Sequence, residues 1–254
     1  MKRFVVIISF IIAFAGVQAQ SLNIEGDSIK NKTDVNGKRT GYWEEKMFDI
    51  TARGYYVDGL KQGLWRNSYK EDFISEILTY RDGKKNGLHL GIDKRGSITV
   101  EEYFRDDKLH GRSVNYGAGA KPQVEVWYKN GVPDGLKKIF YDNGKLQEES
   151  QYLNGQHHGI AKWYSQEGKL LVEYNYIKGE FDGEQKTYDK AGNLLTTDNY
   201  KNGVQEGPSK EYFADGKVKI EGSYIAGKKE GKWLEYDETG KIVNTTKYVK
   251  GEAK

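Results

Sequence analysis

The sequence predicts an all-β chain, one elongated antiparallel sheet of stacked β-hairpins, and three observations carry that prediction. The first is a glycine pair spaced by four. It falls at Gly37/Gly41, Gly59/Gly63, Gly83/Gly87, Gly131/Gly135, Gly155/Gly159, Gly179/Gly183, Gly203/Gly207 and Gly227/Gly231, and Asp107/Gly111 keeps the same beat. The first interval is 22 residues and every later one is 24, which is the signature of a repeat architecture. The second is an aromatic three residues ahead of each pair: Tyr56, Tyr80, Phe104, Tyr128, Tyr152, Tyr176, Tyr200, Tyr224 and Tyr248. The third is a glycine thirteen residues into most copies (Gly96, Gly144, Gly168, Gly192, Gly216, Gly240), set between two strand-like runs. Such a glycine supplies the positive φ that a tight hairpin turn requires.

Taken in order, residues 1–19 have the parts of a secretory signal peptide: Lys2-Arg3, an apolar run, and small residues up to Ala19. Residues 20–36 are a polar leader without repeat features, expected to be poorly ordered. Residues 37–254 form the repeat domain, about nine 24-residue copies and a truncated tenth opened by Gly251. One hairpin is marginal in water, but three or more sharing a face are stable. Along a strand, alternate residues share a face, so the aromatic column becomes a continuous ladder once hairpins stack. Gly155, Gly159, Gly168, Gly179 and Gly183 mark the frame of the most regular copies. The glycine pairs are expected to bracket a longer turn whose inner residues vary freely. The prolines at 122, 133 and 208 are expected at turns or strand starts, where a missing N–H is tolerated. No stretch beyond the signal peptide keeps a helical period.

Composition narrows the function. Hydrophobic residues make up only 37% of the chain, yet 19 tyrosines and 5 tryptophans argue against disorder. A thin sheet suits that balance, because tyrosine covers a neighbour while its hydroxyl stays wet. The formal charge is +3, with lysines interleaved among acids along the chain, so no basic stripe for nucleic acid stands out. Cysteine is absent, which excludes disulfides, thiolate metal sites and a Cys-linked lipoprotein anchor.

At the Y-x-x-G-x-x-x-G motif followed by a hairpin, the chain resembles MORN-repeat-variant proteins, most closely the bacterial group labelled YwqK-antitoxin-like. The resemblance covers about residues 37–254. It implies an extended sheet of stacked hairpins used for protein association, with membrane or lipid contact for some members. No catalytic domain of the kind some members carry is appended.

Catalytic and metal chemistry find little support. His89, His110, His157 and His158 lack ligand spacing, no phosphate loop precedes a helix, and acids alternate with lysines as cross-strand ion pairs would. The chain is therefore expected to be non-catalytic, without cofactor or metal. It is expected to be exported in a bacterium to the periplasm, outer surface or medium, where it serves as an elongated scaffold for a protein partner. The alternatives are an envelope binder of glycan or lipid headgroups and an antitoxin-like neutraliser. The tryptophans that the repeat does not demand, Trp43, Trp65, Trp127 and Trp163, are the candidate binding residues, since Trp is enriched in hot spots. Because copies one to four depart most from the pattern, partner contact is expected within residues 40–130.

Overall fold

The computed structural model describes residues 30–70 and 73–254. The expected signal peptide, most of the expected leader and residues 71–72 lie outside the described residues. Within them the chain forms one 22-strand antiparallel sheet in which each hairpin strand pairs with the next, the short strands Gln156–His157 and Glu180–Phe181 sharing the partner of the strand that follows them.

Nine hairpins run in order. They are Arg39–Met47 with Ile50–Val57, Leu60–Ser68 with Ile74–Arg81, and Lys84–Ile92 with Ile98–Arg105. Then come Lys108–Tyr116 with Pro122–Lys129, Val132–Phe140 with Leu146–Leu153, and Gly159–Tyr164 with Leu170–Ile177. The last three are Gly183–Tyr188 with Leu194–Lys201, Val204–Tyr212 with Val218–Ile225, and Lys228–Tyr236 with Ile242–Val249. The sheet starts earlier than the sequence suggests. Lys32–Thr33, inside the leader, already pairs with Thr40 and Arg39, and the Asn31 N–H bonds to the Tyr42 carbonyl at 3.0 Å.

The two ends of the sheet close differently. Within most hairpins the turn is a short loop ending in a left-handed glycine, with φ of 88° at Gly168 and 84° at Gly216, as the sequence predicts. An aspartate often opens it: the Asp189 carboxylate accepts the N–H groups of Ala191 at 2.8 Å and Asn193 at 2.9 Å. Between hairpins the turn has only two residues. Asn154 (φ 50°) and Gly155 (φ 83°) both sit at positive φ, the mark of a type I′ turn. The expectation of a longer turn spanning the glycine pair is therefore corrected.

The second glycine of each pair lies inside a strand, where the pairing slips. Tyr55 pairs with Gln62 and Arg53 with Arg66, leaving Gly54 alone opposite residues 63–65. This bulge recurs in every copy that keeps the full strand, and Gly63 and Gly231 hold φ of 67° and 75° there. Pro208 corrects another expectation: it stands in mid-strand, where the slip between Asp198 and Tyr200 leaves its missing N–H without a ladder role.

Nor do the inner turn residues vary freely. The third residue after the first glycine is usually an acceptor for the backbone N–H at the following turn. Asp134 takes that of Asn154 at 3.1 Å, Asp182 that of Asn202 at 3.2 Å, and Glu206 that of Ala226 at 2.8 Å. Gln62 takes that of Asp82 at 2.7 Å. From Gly59 onward the N–H at each first-glycine position also bonds one turn back, as from Gly179 to the His157 carbonyl at 2.8 Å and from Gly203 to Phe181 at 2.9 Å. Consecutive turns are thus tied to one another as well as to their strands.

There is no deep core. Among the described residues the buried hydrophobic side chains are Tyr56, Trp65, Leu78, Val114, Ala161 and Trp233. The sheet is one layer thick with two chemically different faces.

Candidate binding surface

The faces follow from register, because adjacent residues of a strand point to opposite sides. Tyr56 and the aromatic column define one side, called here the tyrosine face. On it the rings pack on one another: Trp43 on Tyr56 at 5.6 Å, Tyr56 on Trp65 at 5.1 Å, and Trp65 on Tyr80 at 6.2 Å, all edge-to-face. Farther along, Tyr152, His157, Tyr176, Phe181 and Tyr200 form a run with centroids 4.3 to 5.3 Å apart. Burial lowers the His157 pKa below its ordinary value, as expected for an imidazole held between two tyrosine rings. Cations cover the two buried tryptophans of this face: Lys61 lies 3.9 Å from the Trp65 centroid and Lys229 4.0 Å from that of Trp233.

The candidate tryptophans do not form one site. Trp65 is 1% exposed, with its Nε1 donating to the Tyr55 carbonyl at 3.2 Å. It is a core residue, and its assignment as a partner anchor is corrected. Its place is made by Gly54, where a Cβ would stand 2.3 Å from the Trp65 Cδ2. Trp233 repeats the arrangement over Gly222 at 2.2 Å. Trp43 is half-buried on the same face, its Nε1 bonded to the carbonyls of Lys32 and Thr40 at 3.1 Å. Trp163 is also half-buried and leans on Tyr174 at 5.7 Å. Trp127 alone points to the reverse face, at 43% exposure. Trp65 and Trp127 are therefore on opposite sides of the sheet.

The histidines follow the same division. His157 lies in the tyrosine-face run, and among the described residues no group of three His, Asp or Glu side chains is placed to hold a metal. His89 lies on the tyrosine face between two carboxylates. Its Nδ1 is 2.9 Å from Glu102 and its Nε2 is 3.4 Å from Glu76, the latter an ion-pair distance without hydrogen-bond alignment. Glu76, then Glu102, raise its pKa against the opposing effect of burial.

The reverse face carries two kinds of row. One is a set of cross-strand ion pairs, Lys138–Glu149 at 3.3 Å, Lys162–Glu173 at 3.0 Å and Lys210–Glu221 at 3.1 Å. The other runs through the pairs Tyr42–Tyr55, Leu64–Thr79, Leu88–Tyr103, Arg112–Trp127, Leu136–Gln151 and Ile160–Asn175. Beyond the sixth hairpin it turns polar: Glu184–Asn199, Pro208–Ser223, Lys232–Lys247. In the apolar part Leu64 is 51% exposed, Tyr103 40% and Ile160 44%.

The family model described as MORN repeat variant matches residues 133–154, 158–178, 181–202, 205–226 and 229–250, five consecutive repeats. The chain is thus a β-hairpin repeat protein, and its copies from residue 133 onward are similar to the MORN repeat variant. The first four copies keep the same hairpins while departing from the pattern at the 22-residue interval, Asp107 and Gly119. No curated protein matches the chain.

Proposed function

We propose that this chain is an exported, non-catalytic scaffold that presents one face of a long sheet to a protein partner. The observation that carries the reading is the segregation of the two faces. On the tyrosine face, aromatic rings rest on one another and on lysine stems, which leaves little open ring face for a sugar to stack on. On the reverse face of the first six hairpins, Leu64, Tyr103, Trp127 and Ile160 stand exposed in one row, and contiguous exposed apolar surface marks an interaction site. On the tyrosine face, a cleft of ≈ 680 Å³ beside Trp43, Glu45 and Lys61 lies open to solvent rather than enclosed.

Two measurements test this. Fractionation with N-terminal sequencing should find the mature chain outside the cytoplasm, starting at Gln20; an intact Met1 terminus on a cytoplasmic protein would overturn the export reading. Photo-crosslinkers placed at Tyr103 and at Tyr176 should capture a protein from the native compartment at the first position and none at the second. Capture only at Tyr176 would reverse the assignment of the faces.

A further inference from the structure

The rows beside the inter-hairpin turns carry a local rule-break. The residue two before each first glycine pairs directly with the residue just after it, on the reverse face. In most copies an aliphatic residue takes part: Val57–Leu60, Lys129–Val132, Leu153–Gln156, Ile177–Glu180, Lys201–Val204 and Ile225–Lys228. At two successive turns it does not. Arg81 pairs with Lys84, and Arg105 pairs with Lys108. Like charges directly opposite one another destabilise a sheet. These four side chains and Lys129 are exposed and enter no ion pair among the described residues, unlike the lysines of the ion-paired row. The nearby acids form no ion pair with them. Asp107 receives the Lys85 N–H at 2.7 Å, Asp106 lies 3.4 Å from the Asn86 amide, and Asp82 occupies a turn tip.

Position makes the cluster informative. Arg105 is two residues from Tyr103, and Lys129 is two from Trp127, so each base shares a face with an exposed aromatic. Successive turns on one edge are two strands apart, about 10 Å. The bases therefore border the apolar row where its exposed aromatics, Tyr103 and Trp127, stand. Where that row turns polar, the inter-hairpin turns carry no double-base pair, and the one opposed pair of lysines, Lys232–Lys247, lies inside the ninth hairpin instead. A repeat protein that keeps two repulsive pairs beside unshielded aromatics holds a surface whose charge is satisfied by something else.

We infer that the reverse face of the second to fifth hairpins docks an acidic, apolar protein segment, its carboxylates on Arg81, Lys84, Arg105 and Lys108 and its apolar side chains on Leu88, Tyr103 and Trp127. Arginine favours carboxylates through paired N–H donors, and exposed Tyr and Trp supply rigid apolar contact. The inference rests on the scaffold reading and names the partner's chemistry at that surface.

The test uses the full mature chain and a synthetic peptide of alternating Glu and Leu, followed by fluorescence anisotropy. Binding should weaken as salt rises. Arg81→Glu with Arg105→Glu should weaken it about tenfold or more, and so should Trp127→Ala, as losing one charged hydrogen bond or one anchor does. Lys201→Glu with Lys228→Glu, on the same face of the later hairpins, should leave it unchanged. Because the charge reversals turn two repulsive pairs into Glu–Lys pairs, the melting temperature should hold or rise while binding is lost. A fall in melting temperature would give these bases a structural role and overturn the inference. Equal or tighter binding of phosphatidylglycerol vesicles or of oligothymidylate, abolished by the same variants, would overturn it in favour of a lipid or nucleic-acid surface. If crosslinking captures a partner whose contacts map elsewhere, this surface fails while the scaffold reading stands. If it captures none, the scaffold reading itself fails.

Discussion

At the scale of single residues, size is exchanged across the bulge. Trp65 and Trp233 lie flat over Gly54 and Gly222, and neither glycine needs positive φ, so space alone dictates its identity. Gly54→Ala or Gly222→Ala should destabilise by about 1–3 kcal/mol through overpacking. The double change Gly54→Ala with Trp65→Leu should recover part of the loss; thermal melts that treat the two sites as independent would refute the exchange. His89 supplies a pH-dependent counterpart. Its folded pKa is raised above 6.5 by Glu76 and Glu102, so its stabilisation is complete below pH 6.5 and lost as pH rises through the folded value. Melting temperature should fall over that window in the native chain and stay flatter in His89→Gln. Matching pH profiles would remove the Glu–His–Glu contact as a source of stability.

At the scale of the element, the inter-hairpin turn shows what sequence could reveal. Its first glycine is legible because a type I′ turn needs φ > 0 at both central residues, and Asn or Asp precedes glycine at most copies. The bulge four residues later is not, since it exists only as a mismatch between two neighbouring strands. The acceptors at the third position were equally hidden, because Gln62, Asp134, Asp182 and Glu206 share a hydrogen-bonding role without sharing a side chain. Three inter-hairpin turns fit their geometry poorly: Lys178 at φ 52°, Ala226 at φ 47° and Lys250 at φ 52° hold left-handed conformations without the Asn or Asp side chain that eases them. Lys178→Asn and Ala226→Asn should each stabilise by up to about 1 kcal/mol, as more permissive residues there relieve strain. Asp182→Ala should cost about 0.5–1.5 kcal/mol by leaving the Asn202 N–H to water. Denaturant midpoints that move the opposite way at Ala226 would show the turn to be unstrained.

At the scale of the whole molecule, stability is a sum over neighbours, while the proposed binding belongs to one stretch of one face. The stacked hairpins, the aromatic ladder and the positive-φ turn glycines were legible in the sequence because each repeats in a column. The surface at Arg81, Lys84, Arg105 and Lys108 was not, because along the chain these bases interleave with Asp82 and Asp106 and look balanced. They separate from the acids only when strand pairing sets them side by side. The same neighbour logic predicts the effect of removing residues 179–202, one full period. Lys178 would then precede Gly203, whose N–H can take the His157 carbonyl that Gly179 now uses, so the turn ladder closes without a gap. The deletion also removes Phe181 and Tyr200 from the aromatic run, leaving Tyr176 beside Gln205 and Tyr224 in their place. The shortened chain should fold in one cooperative transition at a lower melting temperature and keep its affinity for the Glu–Leu peptide. Removing residues 83–106, also one period, should preserve folding in the same way but weaken peptide binding, because Lys84, Tyr103 and Arg105 go with it. Circular dichroism melts and anisotropy on the two deletions separate these outcomes. Equal losses of affinity would mean that the sheet binds along its whole length, and that the apolar, basic stretch of the reverse face has no special part in it.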